Sequence, residues 1–127
     1  TSQNLFGNTY GNGLFVAVGA SGTILNSSDG ISWTSRTSGT STSLWGVGYG
    51  NGLYVVLGSS GTILTSSDGS TWTSRTSGTS QSIMKVAYGN GLFVVVGNAG
   101  TIITSSDGVT WTSRTSGTSG SLYNVTY

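Results

Sequence analysis

Short apolar runs alternate with clusters of Gly, Ser, Asn and Thr along the whole chain, and no stretch has the 3.6-residue period of a helix. In the middle of the chain the runs fall at 43–49, 53–58, 62–66 and 71–76. Gly-Asn-Gly separates the first two runs, and Asn-Gly between apolar runs is the strongest short signal for a β-hairpin. The pattern therefore predicts four short strands, which we call a to d in chain order.

These four strands recur with a period of 39 residues and no insertions, each copy opening with YGNGL at Tyr10, Tyr49 or Tyr88. Strand b, at 53–58, is apolar on both faces, which suits a strand covered on both sides. A four-stranded unit of about 40 residues stacked between its own copies is a β-propeller blade, and a β-solenoid is the main alternative. We predict an all-β propeller fold in a single repeat domain, 1–127. The predicted blades are 1–39, 40–78 and 79–117.

Both ends of the chain carry a copy of strand a, because residues 1–9 and 118–126 each align with 40–48. The sequence thus predicts three four-stranded antiparallel blades plus an extra inner strand at 118–127. Three blades are too few for a ring, since propellers have roughly four to eight. We expect the ring to be completed by oligomerisation or strand exchange. A six-bladed dimer, a filament and a piece of a longer repeat protein remain alternatives.

Strand exchange leads to a specific expectation about the C-terminal strand. Asn8 takes the position that Val holds in the other copies, where an unbonded polar residue is costly. We therefore expect the C-terminal strand to pair with strand b in the first blade of a neighbouring copy, and deletion of 118–127 to abolish the oligomer. The residues expected to form this assembly strand are Leu122, Tyr123, Val125 and Tyr127.

Composition excludes several kinds of site and partner. The chain has no Cys and no His, which rules out thiol and imidazole catalysis and zinc sites built from these residues. Only 6% of residues are charged and the net charge is +1, which argues against nucleic acid and polybasic membrane binding. No apolar run approaches the roughly 18 residues of a transmembrane helix.

The phrase Ser-Ser-Asp-Gly-x-x-Trp occurs once per repeat, at 27–33, 66–72 and 105–111. It resembles the Asp-box, the repeat mark of sialidase-like (BNR) β-propellers, in the short variant of bacterial repeat proteins. The resemblance implies a propeller in which this phrase is the turn between strands c and d, away from the ligand face. Our strand assignment places it there independently. The predicted turn residues are Asp29, Gly30, Trp33, Asp68, Gly69, Trp72, Asp107, Gly108 and Trp111.

Turn chemistry explains each residue type in this phrase. The Asp carboxylate accepts backbone N–H groups, Gly supplies a strained backbone conformation, and Trp covers the turn. We therefore interpret these residues as structural, and predict no catalytic residue, metal or cofactor. The resemblance implies that a sialidase-like enzyme would need a cluster of arginines. Here the arginines lie one per blade on strand d, at Arg36, Arg75 and Arg114. The three Asp residues are likewise too far apart for a glycosidase pair, which needs about 5–10 Å.

The positions that vary between copies lie at and just before strand a. One column holds Phe6, Trp45, Met84 and Tyr123, the next holds Gly7, Gly46, Lys85 and Asn124, and a loop column holds Gln3, Thr42, Gln81 and Gly120. Large apolar residues at such positions most often pack between blades. The functional alternative is a set of aromatic platforms for sugars beside polar groups. The candidate ligand-binding residues are Trp45, Lys85, Tyr123 and Gln81.

We expect a non-catalytic, self-assembling propeller module with a structural role outside the cell or at its surface, and with itself as partner. The first alternative is a multivalent, lectin-like propeller that binds glycans, since repetition strengthens weak sites. A glycosidase-like enzyme is the weaker alternative. Binding to a glycan array would separate the first two functions.

Overall fold

Twelve short strands form three four-stranded antiparallel sheets in the computed structural model, which describes residues 1–127. We call the sheets blades 1, 2 and 3, and each contains four consecutive strands in the order a, b, c, d. Blade 1 contains β1 (Leu5–Gly11), β2 (Leu14–Gly19), β3 (Ile24–Ser27) and β4 (Thr34–Arg36). Blade 2 contains β5 (Leu44–Gly50), β6 (Leu53–Gly58), β7 (Ile63–Ser66) and β8 (Thr73–Arg75). Blade 3 contains β9 (Ile83–Gly89), β10 (Leu92–Gly97), β11 (Ile102–Ser105) and β12 (Thr112–Arg114).

The predicted all-β class and the three antiparallel blades are confirmed. Helical residues occur only as three short 3-10 turns between strands b and c. No helix has the length and hydropathy needed to span a membrane.

Each a–b connection is a tight turn at Asn-Gly. In blade 2, Asn51 has φ 50° and Gly52 has φ 76°. Positive φ at both central residues is the requirement of a type I′ turn, whose twist matches that of the flanking strands. The local sequence therefore fixes the register between strands a and b.

Strand a contains a β-bulge near its start in every blade. In blade 2, Leu44 pairs with Gly58 and Gly46 pairs with Leu57, so Trp45 has no partner on β6. Phe6 and Met84 are the bulged residues of the other two blades. A bulge re-aims the side chain that it carries. Here that side chain differs in every copy.

Strand β6 lies between two cores. Tyr54 and Val56 pack against blade 1, and Val55 and Leu57 pack against blade 3. All four are at most 1% exposed. Full burial of such a side chain contributes about 1.5–3 kcal/mol, so stacking of the blades stabilises the fold. We call the two interfaces junction 1/2 and junction 2/3.

The loop after strand d passes close to the b–c turn of its own blade. A Cβ atom on Gly61, whose φ is +69°, would lie 1.9 Å from the carbonyl oxygen of Thr79. Gly100 approaches Thr118 in the same way in blade 3. Only glycine satisfies both the backbone conformation and the available space. Thr118 thus completes blade 3, and we call residues 119–127 the terminal segment.

The terminal segment lies on blade 3 where a fourth blade would begin. The Leu122 N–H donates to the Gly97 carbonyl at 2.9 Å. Tyr127 lies against Gly89, as the equivalent tyrosines lie against blades 1 and 2. However, the segment forms no strand. The extra inner strand predicted at 118–127 is therefore not a strand within a single chain, because no strand b lies beside it.

Candidate functional site

One carboxylate and one hydroxyl hold each c–d turn. Asp68 Oδ1 accepts bonds from the N–H groups of Ser70 at 2.8 Å and Thr71 at 2.9 Å, and from the Ser66 hydroxyl at 2.9 Å. Ser66 Oγ accepts the Gly69 N–H at 2.8 Å. The backbone bonds from Thr71 and Ser70, together with the Ser66 hydroxyl, lower the pKa of Asp68 to about 2. This carboxylate is therefore an ionised acceptor at neutral pH.

Asp29 and Asp107 make the same bonds in their own blades. Backbone N–H donors are the largest cause of the lowered pKa of each carboxyl group. Because every carboxylate lies in a separate turn, no acid–base pair is formed. No three side chains of the His, Cys, Asp and Glu types come together as a metal site.

The turn tryptophans pack over strand b of their own blades, and one of them differs from the others. Trp111 Nε1–H donates to the Gly108 carbonyl at 3.2 Å, and Trp33 makes the equivalent bond. Trp72 Nε1 is buried without a partner. The ring pairs are Phe15–Trp33 at 6.3 Å, Tyr54–Trp72 at 6.4 Å and Phe93–Trp111 at 6.3 Å between centroids.

Asn26 accounts for this difference. It replaces the Thr of the other blades, and its Nδ2 donates across junction 1/2 to the Gly69 carbonyl at 2.9 Å. This is the acceptor that Trp72 would otherwise use. The Thr of blades 2 and 3 also accepts the Arg Nε–H of its own blade. Without that Thr, the buried Arg36 Nε has no partner.

The bulged residues of the three blades line a cavity of about 530 Å³ at the inner edge of the sheets, and the terminal segment also contributes to its lining. Of the candidate ligand-binding residues, Trp45, Lys85 and Tyr123 meet here. Gln81 is not part of the lining. It is exposed in the loop before β9, where its N–H donates to Thr79 Oγ1 at 3.1 Å.

Trp45 is held in this inner-edge cavity by a hydrogen bond and a ring contact. Its Nε1–H donates to Ser59 Oγ at 2.9 Å. Its ring lies 4.7 Å from that of Phe6, between centroids, at an interplanar angle of 33°. Lys85 is exposed beside it. The arrangement provides a fixed, half-exposed aromatic surface next to a cation, which is suited to a small polar ligand.

Blade 1 exposes the positions through which blades 2 and 3 pack on their predecessors. Leu5 is 48% exposed, whereas the equivalent Leu44 is fully buried. Trp33 is 41% exposed, and a cavity of about 350 Å³ lies between it and Leu5. We call this side of blade 1 the leading face. Its residues are Leu5, Asn8, Tyr10, Phe15, Ala17 and Trp33.

The opposite end of the stack is the trailing face, formed by β10, β11 and the terminal segment. Val94 is half-buried there, although the equivalent Val16 and Val55 are fully buried. Of the predicted assembly residues, Leu122 and Val125 are half-buried on blade 3, while Tyr123 and Tyr127 are exposed. Each end of the chain therefore presents one half of a blade-to-blade interface.

Two equivalent polar grooves run along the outer rim, between blades 1 and 2 and between blades 2 and 3. They have volumes of about 630 and 540 Å³. We call them the rim grooves. Arg75 lines the first and Arg114 the second. In the sequence these arginines are spaced one per blade on strand d, and no binding role was predicted for them. The repeated phrase TSRTSGTS was the available signal, because its Ser, Thr and Arg residues line both grooves.

No known family model and no curated protein matches this sequence. Solved structures do match. One is YCF48 bound to a D1 peptide, with 21% identity and a TM-score of 0.76 over 89% of this chain and 41% of that one. Another is YCF48 from Cyanidioschyzon merolae, with 22% identity and a TM-score of 0.74 over 89% and 37%.

A third similar structure belongs to work on the GH130 family of mannoside phosphorylases and on glycoside hydrolases that target β-1,2 mannosidic linkages. It has 19% identity and a TM-score of 0.50 over 96% of this chain and 52% of that one. Likeness at these identities shows the fold alone, which is a β-propeller. This chain spans less than half of either YCF48 structure.

Proposed function

We propose that this chain is a non-catalytic β-propeller module that assembles with copies of itself through its leading and trailing faces. The observation that carries the proposal is the relation between these faces. The leading face exposes apolar positions that the two internal junctions bury, and the trailing face offers the surface that would cover them. Unlike ends make a heterologous contact, which closes into a ring or continues as a filament.

Two copies of strand a compete for one place at this contact. Within one chain, β1 pairs with β2 in full antiparallel register apart from its bulge. Against a neighbour's blade 3, however, Asn8 would be buried without a partner, which costs roughly 1–3 kcal/mol. Val125 of the terminal segment has no such cost. We therefore infer that the terminal segment displaces β1 of the next copy and pairs with its β2.

The number of blades favours a small closed assembly. Two chains provide six blades, which lies within the range of about four to eight found in propellers. In a closed dimer, both terminal segments gain a strand b partner, and the leading-face residues outside the displaced β1, namely Phe15, Ala17 and Trp33, are covered in both copies. An open series of the same contacts would form a filament.

Light scattering after size-exclusion chromatography tests this proposal. We expect the full chain to have the mass of a dimer or larger. Deletion of 120–127, which leaves Thr118 in place against Gly100, should give a monomer. Val125→Asp should do the same, while Val109→Asp, the same change at an exposed turn position, should not. An unchanged mass for the deletion and for Val125→Asp would overturn the proposal.

Glycan binding at the inner-edge cavity is the second candidate function. It is supported by the fixed indole of Trp45 beside the exposed Lys85. We expect binding on a glycan array that Trp45→Ala removes. Trp111→Ala provides the matched control, because it removes an equally large ring from the opposite end of a blade and lies outside the leading face. No binding by the wild-type protein at high concentration would exclude this candidate.

A non-catalytic role is supported by the state of the three carboxylates. Each accepts three bonds within its own turn, and its lowered pKa keeps it ionised at neutral pH. We therefore expect no hydrolysis of aryl glycosides. Turnover that Asp68→Asn abolishes would revive the glycosidase-like alternative.

Kinship with the Asp-box propellers is also part of the proposal, as is a location outside the cell or at its surface. The kinship is supported by the repeated Ser-Asp-Gly-Trp turn with its bonds at all three sites. The location is consistent with a chain that is poor in charge and rich in Ser and Thr. Cell fractionation tests the location.

A further inference from the structure

We propose that the rim grooves bind an anionic polysaccharide through sulfate or carboxylate groups, with Arg75 and Arg114 as the anion-binding residues. This proposal concerns a different site from the inner-edge cavity. It depends on two features that repeat in both grooves: a fixed guanidinium group and a wall of hydroxyl and backbone groups.

Each guanidinium is held in place by a single bond that leaves its outer donors free. Arg75 Nε–H donates to Thr65 Oγ1 at 3.0 Å, and Arg114 Nε–H donates to Thr104 Oγ1 at 2.9 Å. Arginine has five N–H donors, so four remain on each group. The Asp carboxylates bond to their own turns and not to these arginines. The planar fork is therefore available to an oxyanion from outside the molecule.

The topology separates the two signs of charge. In blade 2, Asp68 lies two residues after the end of β7, whereas Arg75 pairs with Ile63 at the first residue of that strand. The same register recurs in blades 1 and 3. Every Asp thus lies at one end of the strands and every Arg near the other. The arginine end attracts anions without a neighbouring carboxylate to repel them.

The remaining lining identifies the kind of anion. The first groove has fourteen lining residues, of which two are hydrophobic. The others are Ser, Thr and Gly residues besides Arg75, including the b–c turn Ser60–Thr62 and Gly39–Thr40 of blade 1. Hydroxyl and backbone groups suit a polyhydroxylated ligand, and the guanidinium suits its sulfate or carboxylate. Nucleic acid would need more cations and open aromatic platforms.

Two such sites on one protein raise its overall affinity for a polysaccharide, because one polymer molecule can occupy both grooves at once. The two complete grooves lie within a single protein chain. A third groove, at Arg36, lacks its opposite wall. That wall would be Gly117 and Thr118 of a neighbouring copy, so the third groove alone rests on the self-assembly proposed above.

The test is binding to immobilised heparin, a sulfated polysaccharide, by surface plasmon resonance, with unsulfated dextran and a short duplex DNA as competing ligands. We expect heparin to bind and dextran not to bind. The double variant Arg75→Gln/Arg114→Gln should lose more than about tenfold in affinity, because bonds to charged groups are among the strongest. Ile31→Asp/Val109→Asp, which lowers the net charge by the same two units at exposed c–d turn positions outside the grooves, should lose less than about twofold.

A second variant tests whether the bond to Arg Nε positions the guanidinium group for binding. Thr65→Val/Thr104→Val keeps both arginines and removes only the bond to Nε, so it should give an intermediate affinity. Thermal unfolding followed by circular dichroism checks that each variant is folded. Equal binding of dextran and heparin, tighter binding of DNA than of heparin, or wild-type affinity in the folded arginine variant would overturn the proposal.

The test separates this proposal from self-assembly. Arg75→Gln/Arg114→Gln should retain the wild-type mass in light scattering, while Val125→Asp should bind heparin as a monomer through its two complete grooves. Lost heparin affinity in Val125→Asp would show that the internal grooves are insufficient and would overturn the assignment to Arg75 and Arg114.

Discussion

Junction 1/2 and junction 2/3 are built from nearly the same repeat, yet they are held together differently. Across junction 1/2, Asn26 donates to the Gly69 carbonyl and the Tyr54 hydroxyl donates to the Gly11 carbonyl. Across junction 2/3, Phe93 replaces the Tyr and Thr65 replaces the Asn, and the apolar cluster has no such side-chain bonds. Two substitutions thus convert an apolar interface into one with polar links.

The difference shows that a polar link at an interface has consequences within each blade. Asn26 gains a bond to blade 2, but Arg36 Nε and Trp72 Nε1 are left buried and unpartnered. Junction 2/3 lacks this cross-blade bond, and there both Arg75 Nε and Trp111 Nε1 have hydrogen-bond partners. The two junctions are therefore similar in apolar packing but differ in their hydrogen bonds. Junction 1/2 has bonds between blades, and junction 2/3 has bonds within each blade.

The largest effect should come from removing the shared apolar contact. Tyr54→Ala and Phe93→Ala each truncate a side chain that is 1% exposed, and we expect each to destabilise the protein by about 3–5 kcal/mol. Tyr54→Ala should cost more, because it also leaves the Gly11 carbonyl without this donor. Chemical denaturation measures both. A larger loss for Phe93→Ala would contradict the assignment of an additional polar link to junction 1/2.

The next effect isolates that polar link. Tyr54→Phe gives junction 1/2 the ring of junction 2/3, and the loss of its bond to the Gly11 carbonyl should cost about 1 kcal/mol in the free energy of unfolding. Tyr10→Phe is the matched control, since this hydroxyl lies on an exposed side chain. Equal stability of Tyr54→Phe and the wild type would show that the bond contributes nothing.

A smaller effect of opposite sign is expected from Asn26→Thr. The change removes the bond to the Gly69 carbonyl, but it gives Arg36 Nε an acceptor and frees that carbonyl for Trp72. We expect stabilisation of up to about 1 kcal/mol, and slower hydrogen exchange of the Trp72 indole by NMR. The reciprocal Thr65→Asn should speed exchange of the Trp111 indole. Faster exchange of the Trp72 indole in Asn26→Thr would contradict this account.

Acid should change both junctions alike, since the Asp turns are equivalent. The folded-state pKa of Asp68, about 2, lies below the ordinary value of 3.8, so its contribution to stability is complete above about pH 4 and is lost as pH falls toward 2. The midpoint of thermal unfolding should fall across that range. Asp68→Asn should weaken the pH dependence, and an unchanged slope would show that the turn does not sense protonation.

Local sequence was sufficient for the features whose cause is local. The Asn51–Gly52 hairpin requires two positive φ values from adjacent residues, and the Asp68 turn makes its bonds within six residues. Both features could therefore be predicted from the sequence. The position of Trp45 on a bulge was not, because a shift in pairing depends on both strands. The prediction of Gln81 as a ligand residue likewise assumed that its loop reaches the cavity that Trp45 lines.

The amino-acid sequence alone specifies the 39-residue period, the four strands of each blade and the chemistry of their turns, because hydrophobic patterning and short-range bonds act between near neighbours. Only the tertiary structure brought Asn26 to a carbonyl 43 residues away, paired each rim arginine with a neighbouring blade, and left the leading face uncovered. These features depend on how one blade is placed against the next. That placement results from burial of apolar surface, which is non-directional. An apolar strand b therefore predicts that another blade covers it, but not which side chains meet there.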